Sequence, residues 1–506
     1  MTSVAGHWQQ AARSYSCDAV SASAYFGEVW SVRWVFQRGL AAIYLLAFVS
    51  ALNQFRPLLG ERGLLPVPRF LAQVSFRQAP SLFHLHYSDR LFAVVAWAGI
   101  ALSVAALTGV SERGPTLLSA AVWLVLWALY LSIVNVGQVF YGFGWESMLL
   151  EAGFFAIFLG SSRVAAPLIP VLALRWMLFR TELGAGLIKL RHDPCWRELT
   201  CLYYHHETQP LPNPLSWSFH HLPKSAHRGG VVFSHFVQVV APFGLFLPQP
   251  IASIAGALLV LHQLMLVVSG NYAWLNWLTI VLGVTAFRDS LFSRVLRAPP
   301  ELAARTTPYE VVLYGLAALT ALLSVKPALN LISRDQAMNT SYNPLHLVGS
   351  YGAFGDVTRE RIEVVLEGSA DGSQWKEYGF RAKPGDPMRR PPQVAPYHLR
   401  LDWLMWFLPF QSSVQDGRIV VFGYETWFVR LVTKLLEGDP QVSGLLRDDP
   451  FRGHPPAMVR ARAYRYRFTD AEERGSGTGA WWTREPLGDY LPPVSGADLE
   501  RAGVAP

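Results

Sequence analysis

Residues 115–136 read PTLLSAAVWLVLWALYLSIVNV and contain no charged side chain. A helix that crosses a bilayer needs about 17 to 25 predominantly apolar residues, so this stretch predicts a membrane-spanning helix. The same criterion selects eight more stretches, two of them short, and therefore predicts seven to nine spans. The nine are residues 32–52, 91–110, 115–136, 147–160, 167–189, 231–247, 251–269, 272–287 and 309–325. The predicted fold class is a polytopic α-helical membrane bundle over residues 32–326, preceded by a cytoplasmic segment, residues 1–31.

The composition agrees with a membrane protein. Hydrophobic residues make up 51% of the chain and charged residues 16%, whereas about 25% of the residues in an average soluble protein are charged. The formal net charge of +7 comes from arginines spread over the loops and the last third of the chain. Because no run of like charges resembles a nucleic-acid-binding tail, nucleic acid is not expected as a partner. Three cysteines are too few for a scaffold held together by disulfides.

A second domain begins after Lys326, where the composition becomes charged and β-prone. Asp371-Gly372 separates two strand-like segments and is a strong hairpin signal, since both residues tolerate positive φ. Residues 459–468 also have a strand pattern, and residues 424–436 carry apolar side chains at helical spacing. We predict a small β-rich domain with one or two helices over residues 327–475. A loosely ordered tail rich in glycine and proline, residues 476–506, follows it.

The distribution of polar segments predicts the orientation. With nine spans and an internal N-terminus, the C-terminal domain and two long loops, residues 53–90 and 190–230, share the non-cytoplasmic side, and we expect both loops to be ordered. The short loop at residues 288–308 then faces the cytoplasm. Its arginines agree with the positive-inside rule, although residues 53–90 on the opposite side also carry five. The arginines of the short loop are Arg288, Arg294, Arg297 and Arg305.

Residues 191–222, RHDPCWRELTCLYYHHETQPLPNPLSWSFHHL, place two cysteines and five histidines in one loop between predicted spans. This composition indicates an ordered loop that faces an aqueous compartment. Cys195 and Cys201 are six positions apart, about 240° around a helix, so only a loop or a turn brings them within disulfide reach. Three interpretations stay open: a structural disulfide, a redox-active disulfide, and two unpaired cysteines in a turn.

Two chemical alternatives involve the neighbouring histidines. A thiol beside His192 or His205 could act as a nucleophile, but no third group completes such a site. A metal site built from Cys195, Cys201, His205 and His206 matches no common zinc spacing, so no metal is expected.

Ionisable residues lie inside the predicted bundle. Arg175, Glu182 and Lys189 follow one another at intervals of seven residues, which places them on one face of the fifth span, and Glu151 lies in the fourth. Charges inside a membrane are costly and normally pair or line a cavity. These four residues predict an intramembrane polar network. It is either a buried ion-pair seam that holds the bundle together or the wall of a polar cavity.

Six blocks of sequence resemble the lipase maturation factor family of endoplasmic-reticulum membrane proteins and their bacterial relatives. They follow the family order from the first span to about residue 470 and cover nearly the whole chain. The blocks are residues 53–66 (NQFRPLLGERGLLP), 141–151 (YGFGWESMLLE), 195–214 (CWRELTCLYYHHETQPLPNP), 269–279 (SGNYAWLNWLT), 351–355 (YGAFG) and 383–410 (KPGDPMRRPPQVAPYHLRLDWLMWFLPF). The resemblance implies a cytosolic N-terminus, a lumenal C-terminal domain, and a membrane-embedded maturation factor or chaperone for secreted proteins such as lipases.

The resemblance also sets expectations for partners and location. Secreted lipase-like clients and membrane lipid are the implied partners, no cofactor is expected, and the oligomeric state is left open. The arginine- and alanine-rich composition indicates a bacterial-type member, which places the chain in the plasma membrane, whereas a eukaryotic member belongs in the endoplasmic reticulum membrane. Two alternative functions are an intramembrane enzyme, distantly similar to vitamin K-dependent carboxylases, and a thiol–disulfide factor acting through Cys195 and Cys201. No catalytic residue is assigned, because the family has no agreed catalytic site.

The block at residues 383–410 is dense in tryptophan, tyrosine and arginine, the residue types that dominate binding hot spots. Together with residues 191–222 it predicts a client-binding surface. The side chains assigned to that surface are Arg389, Arg390, Tyr397, Trp403 and Trp406. An alternative for residues 402–408 is that they fill the core of the C-terminal domain or dock it on the membrane.

Overall fold

The computed structural model describes residues 25–292, 296, 301–475 and 479–501. Several predicted features lie outside the described residues. They are most of the segment 1–31, Arg294 and Arg297 of the cytoplasmic loop, and both ends of the tail 476–506.

Helices dominate the first two thirds of the chain. The α-helices are α1 Trp30–Leu59, α2 Val67–Leu71, α3 Asp89–Leu107, α4 Thr116–Val136, α5 Gly144–Ala156, α6 Leu168–Arg191, α7 Pro194–Arg197, α8 Leu202–Thr208, α9 Ser216–His220, α10 Lys224–His235, α11 Ile251–Ser269, α12 Leu275–Gly283 and α13 Thr307–Ile332. A π-helical turn, Phe236–Val240, and a 3-10 helix, Ala241–Phe246, continue α10. Each of the nine apolar stretches picked out by the sequence overlaps one of these helical segments.

Six helical segments of the described chain are long and apolar enough to cross a membrane, rather than seven to nine. They are α1, α3, α4, α11, α13 and the continuous segment Lys224–Phe246. The other three candidates differ for physical reasons: α5 and the segment Leu275–Ala286 are short, and α6 carries charged side chains. Because other helices bury most of α6, its charges are shielded from lipid. The polytopic membrane bundle is confirmed.

Aromatic side chains fill the centre of the bundle. Tyr44 of α1 packs against Trp123 and Tyr130 of α4, with ring centroids 6.2 and 5.7 Å apart, and all three side chains are fully buried. Gly153 of α5 allows this approach, because a Cβ atom there would collide with the Tyr44 hydroxyl.

The C-terminal domain is built on a four-stranded antiparallel sheet of order β4-β3-β7-β8. The strands of the chain are β1 Thr340–Ser341, β2 Gly349–Ser350, β3 Arg361–Ser369, β4 Lys376–Glu377, β5 Ser412–Gln415, β6 Arg418–Val421, β7 Met458–Phe468 and β8 Trp482–Val494. The helices of this part are α14 Arg400–Met405, α15 Thr426–Leu436, α16 Pro440–Ser443, α17 Ala471–Glu473 and α18 Gly496–Arg501. The β-rich domain is confirmed, and the predicted hairpin at Asp371-Gly372 joins β3 to β4.

The prediction of a loosely ordered tail is wrong for residues 482–501. Strand β8 is 13 residues long and pairs with β7 from Phe468↔Trp482 to Val459↔Val494. Its inward side chains, among them Trp482, Leu487 and Tyr490, are buried in the domain core, so their burial stabilises a strand that its glycine and prolines disfavour.

Candidate functional site

The loop at residues 190–230 is fixed to the C-terminal sheet. The guanidinium of Arg361 on β3 donates to the backbone carbonyls of Glu207 and Pro210 at 2.9 and 3.0 Å. The carboxylate of Glu207 accepts from the backbone N–H of Phe468 at 2.7 Å, and the Trp217 indole donates to the Thr469 carbonyl at 2.7 Å. The loop is therefore ordered, as the sequence predicted, and it lies on the same side of the bundle as the C-terminal domain.

A disulfide joins Cys195 and Cys201, whose Cα atoms are 4.8 Å apart. The Asp193 carboxylate accepts from the Cys195 backbone N–H at 2.9 Å and from the Arg359 guanidinium at 2.7 and 2.9 Å. Hydrogen bonding by Arg359 lowers the pKa of Asp193 to about 2. The disulfide ring is thus anchored to the segment that leads into β3.

Both cysteines are buried, with exposed fractions of 1% and 0%. A thiolate that exchanges with a disulfide must reach one of its sulfur atoms, so burial disfavours a redox role. While the disulfide is formed, the two cysteines are not unpaired, and neither sulfur can act as a thiol nucleophile. His205, which the sequence offered as a partner for such a thiol, instead contacts the Tyr272 hydroxyl through Nε2 at 2.9 Å. The arrangement favours a structural crosslink.

Four histidines of the loop region, His205, His206, His220 and His227, lie close together. The rings of His205 and His206 are 5.7 Å apart, and those of His206 and His227 are 5.9 Å apart. Burial lowers the pKa of His205 to about 3 and that of His220 to about 4, and it holds the pKa of His206 well below its usual value. These three imidazoles are therefore neutral at neutral pH.

The charged residues of the fifth and fourth predicted spans belong to separate clusters rather than to one network. Glu182 accepts hydrogen bonds from the side-chain amides of Gln238 and Gln263 at 3.1 and 2.7 Å, and Lys189 donates to Gln238 at 2.7 Å. Arg175 donates instead to backbone carbonyls, including that of Thr285 at 2.7 Å. Groups on neighbouring helices supply these contacts, which favours a structural role over a polar pathway, although Nη2 of Arg175 has no hydrogen-bond partner among the described residues.

Glu151 forms the second cluster, with a residue that the sequence analysis did not include. It pairs with Arg180 and accepts from the Gly349 backbone N–H at 3.0 Å and the Tyr351 hydroxyl at 2.7 Å. The intervals of seven pointed to Arg175, Glu182 and Lys189 and therefore passed over Arg180. The partners of Glu151 come from β2 and the residue after it, which no pattern within a span could indicate.

The residues predicted to bind a client are engaged mainly with the protein itself. Trp403 is only 4% exposed, and its ring lies 5.0 Å from Trp145. It belongs to the core between the bundle and the C-terminal domain, so its assignment to a client surface is wrong. Trp406 is partly buried and donates to the Thr208 carbonyl at 3.0 Å.

The other three predicted residues also have internal partners. Arg389 donates to the Phe380 carbonyl at 2.6 Å, and the Arg390 guanidinium lies 5.3 Å from the Trp481 ring. The Tyr397 hydroxyl lies 3.4 Å from the side-chain amide of Asn53. All three side chains therefore contact other parts of the chain.

An exposed apolar surface lies next to Trp406. We call the side chains of Phe407, Phe410, Val420 and Phe422 the apolar patch; they are 38%, 51%, 39% and 67% exposed. The rings of Phe407 and Phe410 are 5.9 Å apart, and the backbone N–H of Phe422 donates to the carbonyl of the residue after Phe410. Sequence reasoning overlooked Val420 and Phe422 because they lie outside the tryptophan-rich block.

A cavity of about 270 Å³ lies where the end of α1 meets the C-terminal domain. Asn53 and Gln54 from α1 line one side, and Arg381, Tyr397 and Asp402 contribute polar groups from the other.

Comparison with known proteins places this architecture in a family. The family model described as "Lipase maturation factor transmembrane domain" matches residues 31–294, and that described as "Lipase maturation factor C-terminal domain" matches residues 347–492. Neither points to a carboxylase. No solved structure is significantly similar to the chain.

Curated relatives extend the similarity over nearly the full length. The chain is 41% identical to lipase maturation factor 1 of Bos taurus over 94% of its own length and 90% of that protein. It is 40% identical to lipase maturation factor 1 of Homo sapiens, covering 94% of this chain and 89% of the relative. For lipase maturation factor 2 of Rattus norvegicus the identity is 30%, covering 92% and 83%. This multi-pass membrane protein belongs to the lipase maturation factor family.

Proposed function

We propose that this protein is a membrane-embedded maturation factor that assists the folding and assembly of secreted lipase-like proteins. The observation that carries the proposal is the similarity to lipase maturation factor 1 over 94% of the chain, which includes both the bundle and the C-terminal domain. The apolar patch gives the activity a physical basis, because an exposed apolar surface can cover the apolar surface that an unfinished client exposes. No covalent step is part of the proposal.

The C-terminal domain is proposed to lie on the non-cytoplasmic side, where secreted clients fold. Disulfides persist in oxidising compartments, and the loop at residues 190–230 contains one. Arg361 and Glu207 tie that loop to the sheet, so the loop and the domain share one side. The membrane would be the plasma membrane in a bacterial host and the endoplasmic reticulum membrane in a eukaryotic one.

The client is proposed to bind at the apolar patch, with Trp406 at its edge. Two of the patch's phenylalanines, Phe410 and Phe422, are more than half exposed. Aromatic side chains supply large contact areas at binding hot spots. Arg389, Arg390 and Tyr397 are not included, because each of these side chains contacts another part of the chain.

Lipase secretion tests both parts of the proposal. Cells that lack their own lipase maturation factor would express this chain together with a secreted lipase, and the active lipase in the medium would be measured. The double variant Phe410→Ser, Phe422→Ser is expected to lower the yield at least about fivefold, which corresponds to the loss of roughly 1 kcal/mol of client binding. Met388→Ser is the matched control, because Met388 is 53% exposed in the same domain but lies outside the patch.

Two negative results of the secretion experiment would lead to different conclusions. If the double variant inserts normally and supports full secretion, the apolar patch is not the client site. If the wild-type chain supports no lipase secretion although it reaches the correct membrane, a lipase is not its client.

A further inference from the structure

The cavity at the end of α1 contains a buried carboxylate that forms no direct ion pair among the described residues. Asp402 is 1% exposed, and its Oδ1 accepts from the backbone N–H groups of Ala382 and Lys383 at 2.6 and 3.1 Å. Among the described residues, no donor reaches Oδ2 and no cation forms an ion pair with this carboxylate. The nearby ammonium of Lys383 pairs with Glu363 at 2.5 Å instead.

A carboxylate in this position is suited to a cationic ligand. Burial raises the pKa of Asp402, because desolvation disfavours the charged form. A buried charge is costly unless it is paired, and Asp402 lines a cavity large enough to admit a partner. The group of the ligand that contacts Asp402 should therefore carry a positive charge.

Hydrogen-bond donors line another part of the same cavity. The Tyr397 oxygen accepts from the side-chain amides of Asn53 and Gln54, each at 3.4 Å, and its own O–H has no acceptor among the described residues. Arg381 donates to the Gly444 carbonyl through Nη2 at 2.6 Å, and no acceptor among the described residues takes its other N–H groups. A guanidinium and a hydroxyl together are suited to bind a phosphate.

The position of the cavity along α1 is the one expected for the depth of lipid headgroups. Asn53 and Gln54 directly follow the apolar residues 32–52, and α1 ends at Leu59. The hydrocarbon core of a bilayer is about 30 Å thick, close to the length of a 20-residue helix, so these two residues lie at the boundary between hydrocarbon and water.

We propose that this cavity binds the headgroup of phosphatidylethanolamine. The ammonium pairs with Oδ2 of Asp402, and the phosphate binds Arg381 and the Tyr397 hydroxyl. A primary ammonium can also donate to the side-chain oxygen of Asn53, which a quaternary ammonium cannot. Tyr397 is the one aromatic residue of the lining, so no aromatic cage for choline is formed. A phosphatidylglycerol headgroup brings no cation to Asp402.

Native mass spectrometry of the full-length chain in detergent tests the proposal. The protein would be titrated separately with dioleoyl phosphatidylethanolamine, phosphatidylcholine and phosphatidylglycerol. We expect one retained phosphatidylethanolamine per chain, with an apparent affinity about tenfold above that of the other two lipids. Arg381→Gln and Tyr397→Phe should each weaken its retention about fivefold or more, since each removes a donor to the phosphate. Arg418→Gln is the control, because Arg418 is an exposed arginine that does not line the cavity.

Two results would overturn the proposal. One is equal retention of the three lipids, and the other is unchanged phosphatidylethanolamine retention in both Arg381→Gln and Tyr397→Phe. Asp402→Asn offers an independent check, because it can keep the two backbone contacts of Oδ1 while removing the negative charge. A photocrosslinking residue at position 53 that captures a client lipase instead of phospholipid would reassign the cavity to the client. The lipid titration contains no client, so its failure would leave the proposed maturation activity untouched.

Discussion

Arg400 of α14 and Glu146 of α5 form an ion pair with no exposed side-chain surface, 2.7 Å between Nη1 and Oε1. The same guanidinium donates to the Phe140 carbonyl at 2.7 Å and lies 3.4 Å from the centre of the Tyr141 ring. The pair connects the membrane bundle to the C-terminal domain, and it therefore holds the proposed client surface in a fixed position above the bundle.

Breaking this pair should destabilise the whole protein. Arg400→Met is expected to lower the free energy of unfolding by about 3 to 5 kcal/mol, because it leaves the Glu146 carboxylate buried without a cation. The double variant Arg400→Met, Glu146→Met should recover much of that loss. Thermal unfolding in detergent measures both, with the exposed Arg418→Met as control. Equal destabilisation by the single and double variants would show that the pairing itself contributes little.

The disulfide is expected to be a structural crosslink and not to exchange with the thiols of a client. Replacing Cys195 and Cys201 together with serine should lower the free energy of unfolding by about 2 kcal/mol, the chain-entropy value for so small a ring. Lipase secretion should fall only as far as the loss of folded protein requires. In the wild type, both cysteines should resist alkylation after mild treatment of the folded protein with a reductant. Rapid and reversible reduction would instead support a thiol–disulfide factor.

Stability should decrease on acidification because of the buried histidines. His205 has a pKa of about 3 in the folded protein, far below the value of about 6.5 for a free imidazole. The unfolded chain therefore binds more protons below pH 6.5, and the free energy of unfolding falls as the pH falls. Between pH 7 and pH 5, one imidazole that stays neutral in the folded protein lowers the free energy of unfolding by about 2 kcal/mol.

His206→Phe isolates this effect. The ring of His206 packs near Phe219, and burial also holds the pKa of His206 well below its usual value. The variant should unfold with a smaller pH dependence than the wild type over the same interval, because it removes an imidazole that only the unfolded chain protonates readily. His454→Phe serves as control, since His454 is exposed. Identical pH profiles for His206→Phe and the wild type would show that His206 is already protonated, or accessible, in the folded protein.

The polar cluster around Gln238 should prove structural. Lys189→Met removes the hydrogen bond to Gln238 and the cation near Glu182, and it is expected to cost roughly 1 to 3 kcal/mol of unfolding free energy. Lys326→Met, at an exposed lysine of α13, should cost much less. Lipase secretion per folded molecule should be unchanged by either variant. A loss of secretion without a change in stability would indicate that the intramembrane cluster has a functional role.

Local patterns in the chain were sufficient to predict the bundle and much of the C-terminal domain. Runs such as residues 115–136 can hardly be stable outside a membrane or a core, and the local turn preferences of Asp371 and Gly372 predict the hairpin. The strand β8 was missed because its partner β7 supplies the stabilisation. Local composition could not indicate that pairing.

The sequence by itself determined the family and the apolar helices, and it left open whether Cys195 and Cys201 are joined. Only the tertiary structure decided which polar groups are paired and which are free. It buried Trp403, paired Arg180 with Glu151 and Arg400 with Glu146, and placed Asp402 at a cavity with no ion-pair partner among the described residues. The physical reason is that the surroundings of a side chain come from residues distant in the chain, and the packing of helices and strands alone brings those residues together.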